Sequence, residues 1–132
     1  MKRSRAISVQ IARPFEAVYD FLARPTNFAK WGPVQDGEMI HAGGRDYLVQ
    51  VPRGQVAIRF IEPNPYGVLD YWLFEPGGDP DSVTSCRLVP NEEGCELTLL
   101  WLQREGEDDV QFQSEVDWLT ADLGVLKSLL EA

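Results

Sequence analysis

The sequence predicts an α+β fold: a curved antiparallel sheet of seven strands, two short helices after the first strand, and a long C-terminal helix over the sheet. Three observations predict it. Phe112, Val116, Leu119, Leu123, Leu126 and Leu130 step by four, three, four, three and four, one apolar face over about five helical turns. From residue 38 to about residue 103, apolar residues alternate with polar ones between Gly, Pro and Asn clusters, the pattern of consecutive strands. The connections between those strands are short, as antiparallel neighbours require.

The elements follow in order. Ile7, Val9 and Ile11 alternate with Ala6, Ser8 and Gln10, so Arg5 to Ala12 reads as a half-buried strand. Pro14 fits a first helical turn, where its missing N–H is no loss. Phe15, Val18, Phe21 and Leu22 share one face of a helix over Pro14 to Ala23, which Pro25 ends. Thr26 is placed to cap a second short helix carrying Phe28 and Trp31, closed by Gly32-Pro33. Gly43-Gly44 then reads as a two-residue hairpin turn between Glu38–Ala42 and Arg45–Val51. Gly54 leads into Gln55–Glu62, and the turn Pro63-Asn64-Pro65 with Gly67 leads into Val68–Glu75. After a loop of Gly and Pro, Ser82–Pro90 and Cys95–Gln103 form a last hairpin around Glu92-Glu93. Asp108 or Asp109 is placed to cap the long helix, and the acids around them suit its dipole.

Composition narrows the function. The 132 residues are 44% hydrophobic and 25% charged, an ordinary globular balance for one domain spanning residues 1–132. The net charge of −9 argues against nucleic acid and anionic membrane surfaces. No apolar run reaches the length of a membrane span and no signal-like stretch opens the chain, so the expected location is cytoplasmic. One histidine rules out a His-rich metal site, and Cys86 and Cys95 form no disulfide framework. No metal and no cofactor are expected.

Local motifs carry a resemblance over essentially the whole chain. The entry segment Ile11-Ala12-Arg13-Pro14-Phe15-Glu16-Ala17-Val18-Tyr19-Asp20-Phe21-Leu22, followed by Pro25, Phe28 and Trp31, resembles the first strand–helix–helix unit of the SRPBCC (START-like) superfamily. Tyr66-Gly67-Val68-Leu69-Asp70-Tyr71-Trp72 and Trp118-Leu119-Thr120-Ala121-Asp122-Leu123 are similar to uncharacterised bacterial members of the polyketide cyclase/dehydrase-like kind. The resemblance implies the helix-grip fold of the birch-pollen-allergen-like proteins. Members bind sterols, lipids, hormones or polyketides, act as cyclases, or serve as co-chaperones, so it implies no single function.

Strand parity names the residues that would line a cavity between sheet and helix. With a turn at Glu92-Glu93, Cys86 faces Leu99 and Leu88 faces Leu97; Leu97, Leu99 and Trp101 form the inner row. Cys95 then lies opposite Pro90, beyond disulfide reach of Cys86. A turn at Gly43-Gly44 pairs Ile40 with Tyr47 and His41 with Asp46, which turns Ile40, Tyr47 and Val49 inward and leaves His41 outside in a surface pair with Asp46. Val56, Ile58 and Phe60 face in. In Val68–Glu75 the inner row is either Leu69, Tyr71 and Leu73, which leaves Asp70 in solvent, or Asp70, Trp72 and Phe74, which makes Asp70 a buried candidate base. The first row is preferred. Tyr47 and Tyr71 offer hydroxyl tips to an apolar cavity, and Trp31, Phe112, Val116 and Leu119 would roof it.

Three functions compete. The first is binding or carriage of a small hydrophobic ligand, lipid or polyketide-like. The second is a cyclase/dehydratase-like enzyme using Tyr47, Tyr71 and Asp70. The third is a co-chaperone-like interaction module presenting Trp72 or Trp118, with the chain a monomer or homodimer.

Overall fold

In the computed structural model, residues 1–34, 37–51 and 54–132 are described. Strand β1 (Ser4–Ile11) is followed by helix α1 (Phe15–Leu22) and a 3-10 helix (Pro25–Lys30). Six strands come next: β2 (Met39–His41), β3 (Asp46–Val51), β4 (Gly54–Phe60), β5 (Tyr71–Phe74), β6 (Val83–Asn91) and β7 (Gly94–Leu102). Helix α2 (Asp109–Glu131) closes the chain. The strands form one seven-stranded antiparallel sheet in the order β1-β7-β6-β5-β4-β3-β2.

The apolar stripe of α2 does what its spacing predicts. Phe112, Val116, Leu119, Leu123 and Leu126 are buried and Leu130 is partly so. Asp108 caps the helix through a reciprocal box: its carboxylate accepts from the Gln111 N–H, and the Gln111 side chain accepts from the Asp108 N–H. The helix runs in step with β1. Lys127 donates to the Gln10 carbonyl, the Ala12 N–H to Glu131 and Arg13 to the Leu130 carbonyl. One flank of α2 is therefore tied to β1.

The β6–β7 register is the one strand parity gives: Cys86 opposite Leu99, Leu88 opposite Leu97, Pro90 opposite Cys95. Both cysteines are buried and unpaired with each other. The inner row of β5 is also as preferred, since Tyr71 pairs with Phe60 and Leu73 with Ile58.

The first hairpin corrects the expectation. His41 faces Tyr47, Ile40 faces Leu48 and Met39 faces Val49, one residue out of the anticipated register. The turn holds three residues, because the Ala42 N–H bonds the Asp46 carbonyl across Gly43-Gly44-Arg45. Within that turn the Arg45 carbonyl still accepts the Phe60 N–H, and its guanidinium donates to the Ile61 and Ala23 carbonyls. Asp46 is paired with Arg59 by two bonds of 2.7 and 2.8 Å and not with His41. A one-residue slip exchanges the faces. His41 thus joins the side of the sheet that carries Tyr47, and Ile40 points away, 49% exposed.

Two smaller expectations also change. Pro25 opens the 3-10 helix, whose N-terminal flanking residue is Arg24, and Thr26 caps nothing. Pro14 precedes α1 and does not lie in its first turn. At Gly67 the backbone has φ of 73°, and a Cβ there would stand 2.2 Å from the Leu88 carbonyl oxygen, so only glycine fits.

Candidate functional site on the concave face

Alternation along β3, β4, β5 and β7 turns one side chain in two toward α2. The twelve residues expected to line a cavity come together there. Trp31, Val49, Ile58, Tyr71, Leu97, Leu99, Trp101, Phe112, Val116 and Leu119 belong to one buried cluster, with Tyr47 and Phe60 packed against it. Their environments differ along the face.

Toward β2–β4 the face is aromatic. Phe28 meets Trp31 at 5.2 Å, Phe60 at 5.7 Å and Tyr71 at 5.8 Å between ring centroids. Tyr47 continues the chain of rings to Phe60 at 6.0 Å, and His41 lies 5.1 Å from Tyr47. Tilted and edge-on contacts of this kind are the favoured ones. Phe28 is central to the cluster. Its sequence signal was its place in the short helix beside Trp31.

Toward the N-terminal half of α2 the face is polar. The indole N–H of Trp101 donates to Glu115 at 3.1 Å. Burial, then the nearby Glu107, raise the Glu115 carboxyl above its ordinary value. The Arg104 guanidinium lies 5.1 Å from the centre of the Trp101 ring. Tyr71 is buried, hydrogen-bonded to the Thr84 side chain, and within electrostatic range of Arg104 and Asp122; burial raises its hydroxyl well above the ordinary range. Burial likewise pushes the Cys86 thiol up to about 12, so it is a packed neutral group and not a nucleophile.

Asp122 is the functional candidate that strand-by-strand reasoning missed. Its Oδ2 is buried with no hydrogen-bond partner among the described residues. Burial alone pushes the carboxyl up from 3.8 to about 6. The signal was present: Asp122 stands three residues after Leu119 and four before Leu126, on the flank of the apolar stripe. Asp70, the base considered from sequence, accepts the Cys86 N–H at 2.9 Å and is thereby part of the β5–β6 join.

The sheet has an opening beside this polar end. β5 pairs with β6 through Tyr71–Thr84 and Trp72–Val83, with an isolated bridge between Val68 and Arg87. Beyond Trp72 the two strands part. A pocket of about 830 Å³ lies in the gap, bordered by Val56, Leu73, Thr84 and Trp101 of the concave face and by Phe74, Val83, Leu100 and Leu102 of the convex one. Arg104, Lys2, Glu75 and Asp79 stand at its rim. The volume is in the range of small-molecule sites. Trp101 is the one residue of the expected set on its wall.

Among the described residues, no group of His, Cys, Asp and Glu side chains could hold a metal ion, and no helix is long and apolar enough to cross a membrane.

Comparison with known proteins places the fold. No family model matches the chain, and no curated protein does. Solved structures do. An uncharacterised protein from Bacillus thuringiensis superposes with a TM-score of 0.76 at 12% identity, over 97% of this chain and 98% of that one. The Aha1 dimer from Colwellia psychrerythraea gives 0.73 at 16% identity, over 98% and 96%. Protein MLL2253 from Mesorhizobium loti gives 0.69 at 20%, over 97% and 96%. At these identities the likeness is one of fold, and it is consistent with a helix-grip arrangement.

Proposed function

We propose that this chain is an SRPBCC-type domain that binds or carries a small, largely apolar ligand between the sheet and α2. The opening between β5 and β6 serves as the way in. The observation that carries the reading is the pocket of about 830 Å³ in the sheet wall, whose border includes side chains of the concave face. Burying apolar ligand surface there supplies about 25 cal/mol per Å², so few polar contacts are needed. A cytoplasmic location and a monomeric or homodimeric state belong to the same reading.

Titration with the neutral apolar dye N-phenyl-1-naphthylamine tests it. Saturable one-to-one binding is expected, and Leu73→Trp, which places a bulky ring on the pocket wall, should weaken it. Non-saturable binding, or binding unchanged in the variant, refutes the reading.

One observation favours a second reading, a cyclase/dehydratase-like enzyme. Burial raises the Asp122 carboxyl to about 6, the range that general acid–base chemistry uses near neutral pH, and Tyr71 belongs to the buried cluster of the same face. In that reading Tyr71→Phe removes turnover of a polyketide-like substrate while leaving dye binding in place.

A further inference from the structure

The gap in the sheet leaves backbone groups without strand partners. Pairing of β5 with β6 ends at Trp72–Val83, and pairing of β6 with β7 ends at Ser85–Leu100. β5 nevertheless runs on to Phe74 and β7 to Leu102. Successive residues of a strand direct their amide groups to opposite edges. The Ile61 N–H bonds the Asp70 carbonyl, so Asp70, Trp72 and Phe74 direct theirs toward β4, and Tyr71 and Leu73 toward β6. The Gln103 N–H bonds the Arg3 carbonyl, so Gln103 and Trp101 face β1, and Leu102 faces β6. Leu73 and Leu102 therefore each hold an N–H and a C=O toward the gap, with no ladder partner on that side. Both residues border the pocket of about 830 Å³.

The line of β6 shows what fits between them. Before Val83 the chain forms no strand, and it turns back on itself where the Gly78 N–H bonds the Glu75 carbonyl. A segment laid along that line would have Leu73 on one side and Leu102 on the other. To pair with both it must carry backbone amides of its own. Its alternate side chains would point to the two faces of the sheet, one row toward Leu73 and Trp101 on the concave face. The rim selects the charge of the other row. Glu75, Asp79 and Asp81 form no ion pair among the described residues, whereas Lys2 is already paired with Glu105 and Arg104 lies over the Trp101 ring. Acids thus predominate, and a basic row complements them.

Resting on the pocket described above, we propose that the gap takes an extended polypeptide segment as an added strand, its backbone bonded to Leu73 and Leu102 and its side chains alternating between apolar and basic.

Fluorescence anisotropy with a dansyl-labelled hexapeptide of alternating valine and lysine tests it. Saturable binding is expected. The same peptide N-methylated at every second residue loses the bonds along one edge and should bind at least ~10-fold more weakly. A peptide of alternating valine and glutamate should also bind at least ~10-fold more weakly. Leu102→Pro removes a gap-facing N–H that the β1–β7 ladder does not use, and should weaken binding of the parent peptide. If that variant fails to fold, the methylated peptide decides. Equal affinity for the parent and methylated peptides overturns strand addition. Equal affinity for the lysine and glutamate peptides overturns the charge assignment. A protein that binds the neutral dye and none of the peptides overturns this proposal and leaves the pocket reading standing. Failure to bind either overturns both.

Discussion

Replacing Asp122 by asparagine is expected to stabilise the protein above about pH 6 and to do little below about pH 4. The carboxyl is moved from 3.8 to about 6 by burial. Fully expressed, that displacement corresponds to about 3 kcal/mol. Asp122 is only half-buried, and solvent screening reduces the figure to about 1–2 kcal/mol. The asparagine amide is itself unpaired at the buried atom, which leaves a net gain of about 1 kcal/mol. The sign follows from proton binding. Between about pH 4 and 6 the folded state holds the proton more tightly than the unfolded state, so stability from this group falls as pH rises through that window. Above it the full penalty of an enclosed anion is present. Urea denaturation followed by tryptophan fluorescence, at several pH values from about 4 to 8, measures the difference between the two proteins. The gain should grow through the window and level off beyond it. A difference that does not vary with pH, or a variant less stable at pH 7.5, would refute the assignment of Asp122 as a desolvated, unpartnered carboxyl.

Gly67→Ala should cost at least about 2 kcal/mol, because its Cβ meets the Leu88 carbonyl at a left-handed backbone position. Gly124→Ala, inside α2 with open space around it, should instead stabilise by up to about 1 kcal/mol; thermal unfolding of the two variants makes the contrast directly. Leu97→Ala removes a fully enclosed core side chain on β7 and should lower stability by about 3 kcal/mol in the same denaturation assay. Both thiols should resist Ellman's reagent in the native protein and react together on unfolding, since Cys86 and Cys95 are buried and burial raises both.

Much of the fold was legible because it rests on periodicity. The α2 stripe, the parity of β4 and the β6–β7 register each depend on apolar spacing alone, and each stands where the sequence places it. The β2–β3 register was not legible because it depends on a distant event. Arg45 belongs to a three-residue turn, its carbonyl still accepts the Phe60 N–H and its side chain reaches the carbonyls of Ile61 and Ala23, and no local pattern reports those partners. The extra turn residue sets which face His41 occupies. The apolar cluster of the concave face was legible for the same reason the core was, although of the twelve residues expected to line a cavity only Trp101 borders the pocket. The polar part of that face was not, because Asp122 carries the mark of an ordinary surface acid until Leu119 and Leu126 are seen buried on either side of it. The gap beyond Trp72 escaped notice because β5 runs on to Phe74 while β6 begins only at Val83, opposite Trp72.

The pairing of β1 with β7 sets an order on folding. Ser8 and Thr98 meet across 90 residues, whereas Asn91 and Gly94 close β6 on β7 locally. Closing the long loop carries an entropic penalty of about 4 kcal/mol that the short hairpin largely escapes. β1 is therefore expected to dock late, together with α2, on a surface that β6 and β7 have already formed. Truncating Ile7 to valine should then speed unfolding while leaving the refolding rate nearly unchanged in stopped-flow measurements. Until β1 arrives, the open edge of β7 is a row of unpaired amides beside Leu97, Leu99 and Trp101. The vulnerable moment for this chain is thus kinetic, and it belongs to an edge that the finished molecule no longer has.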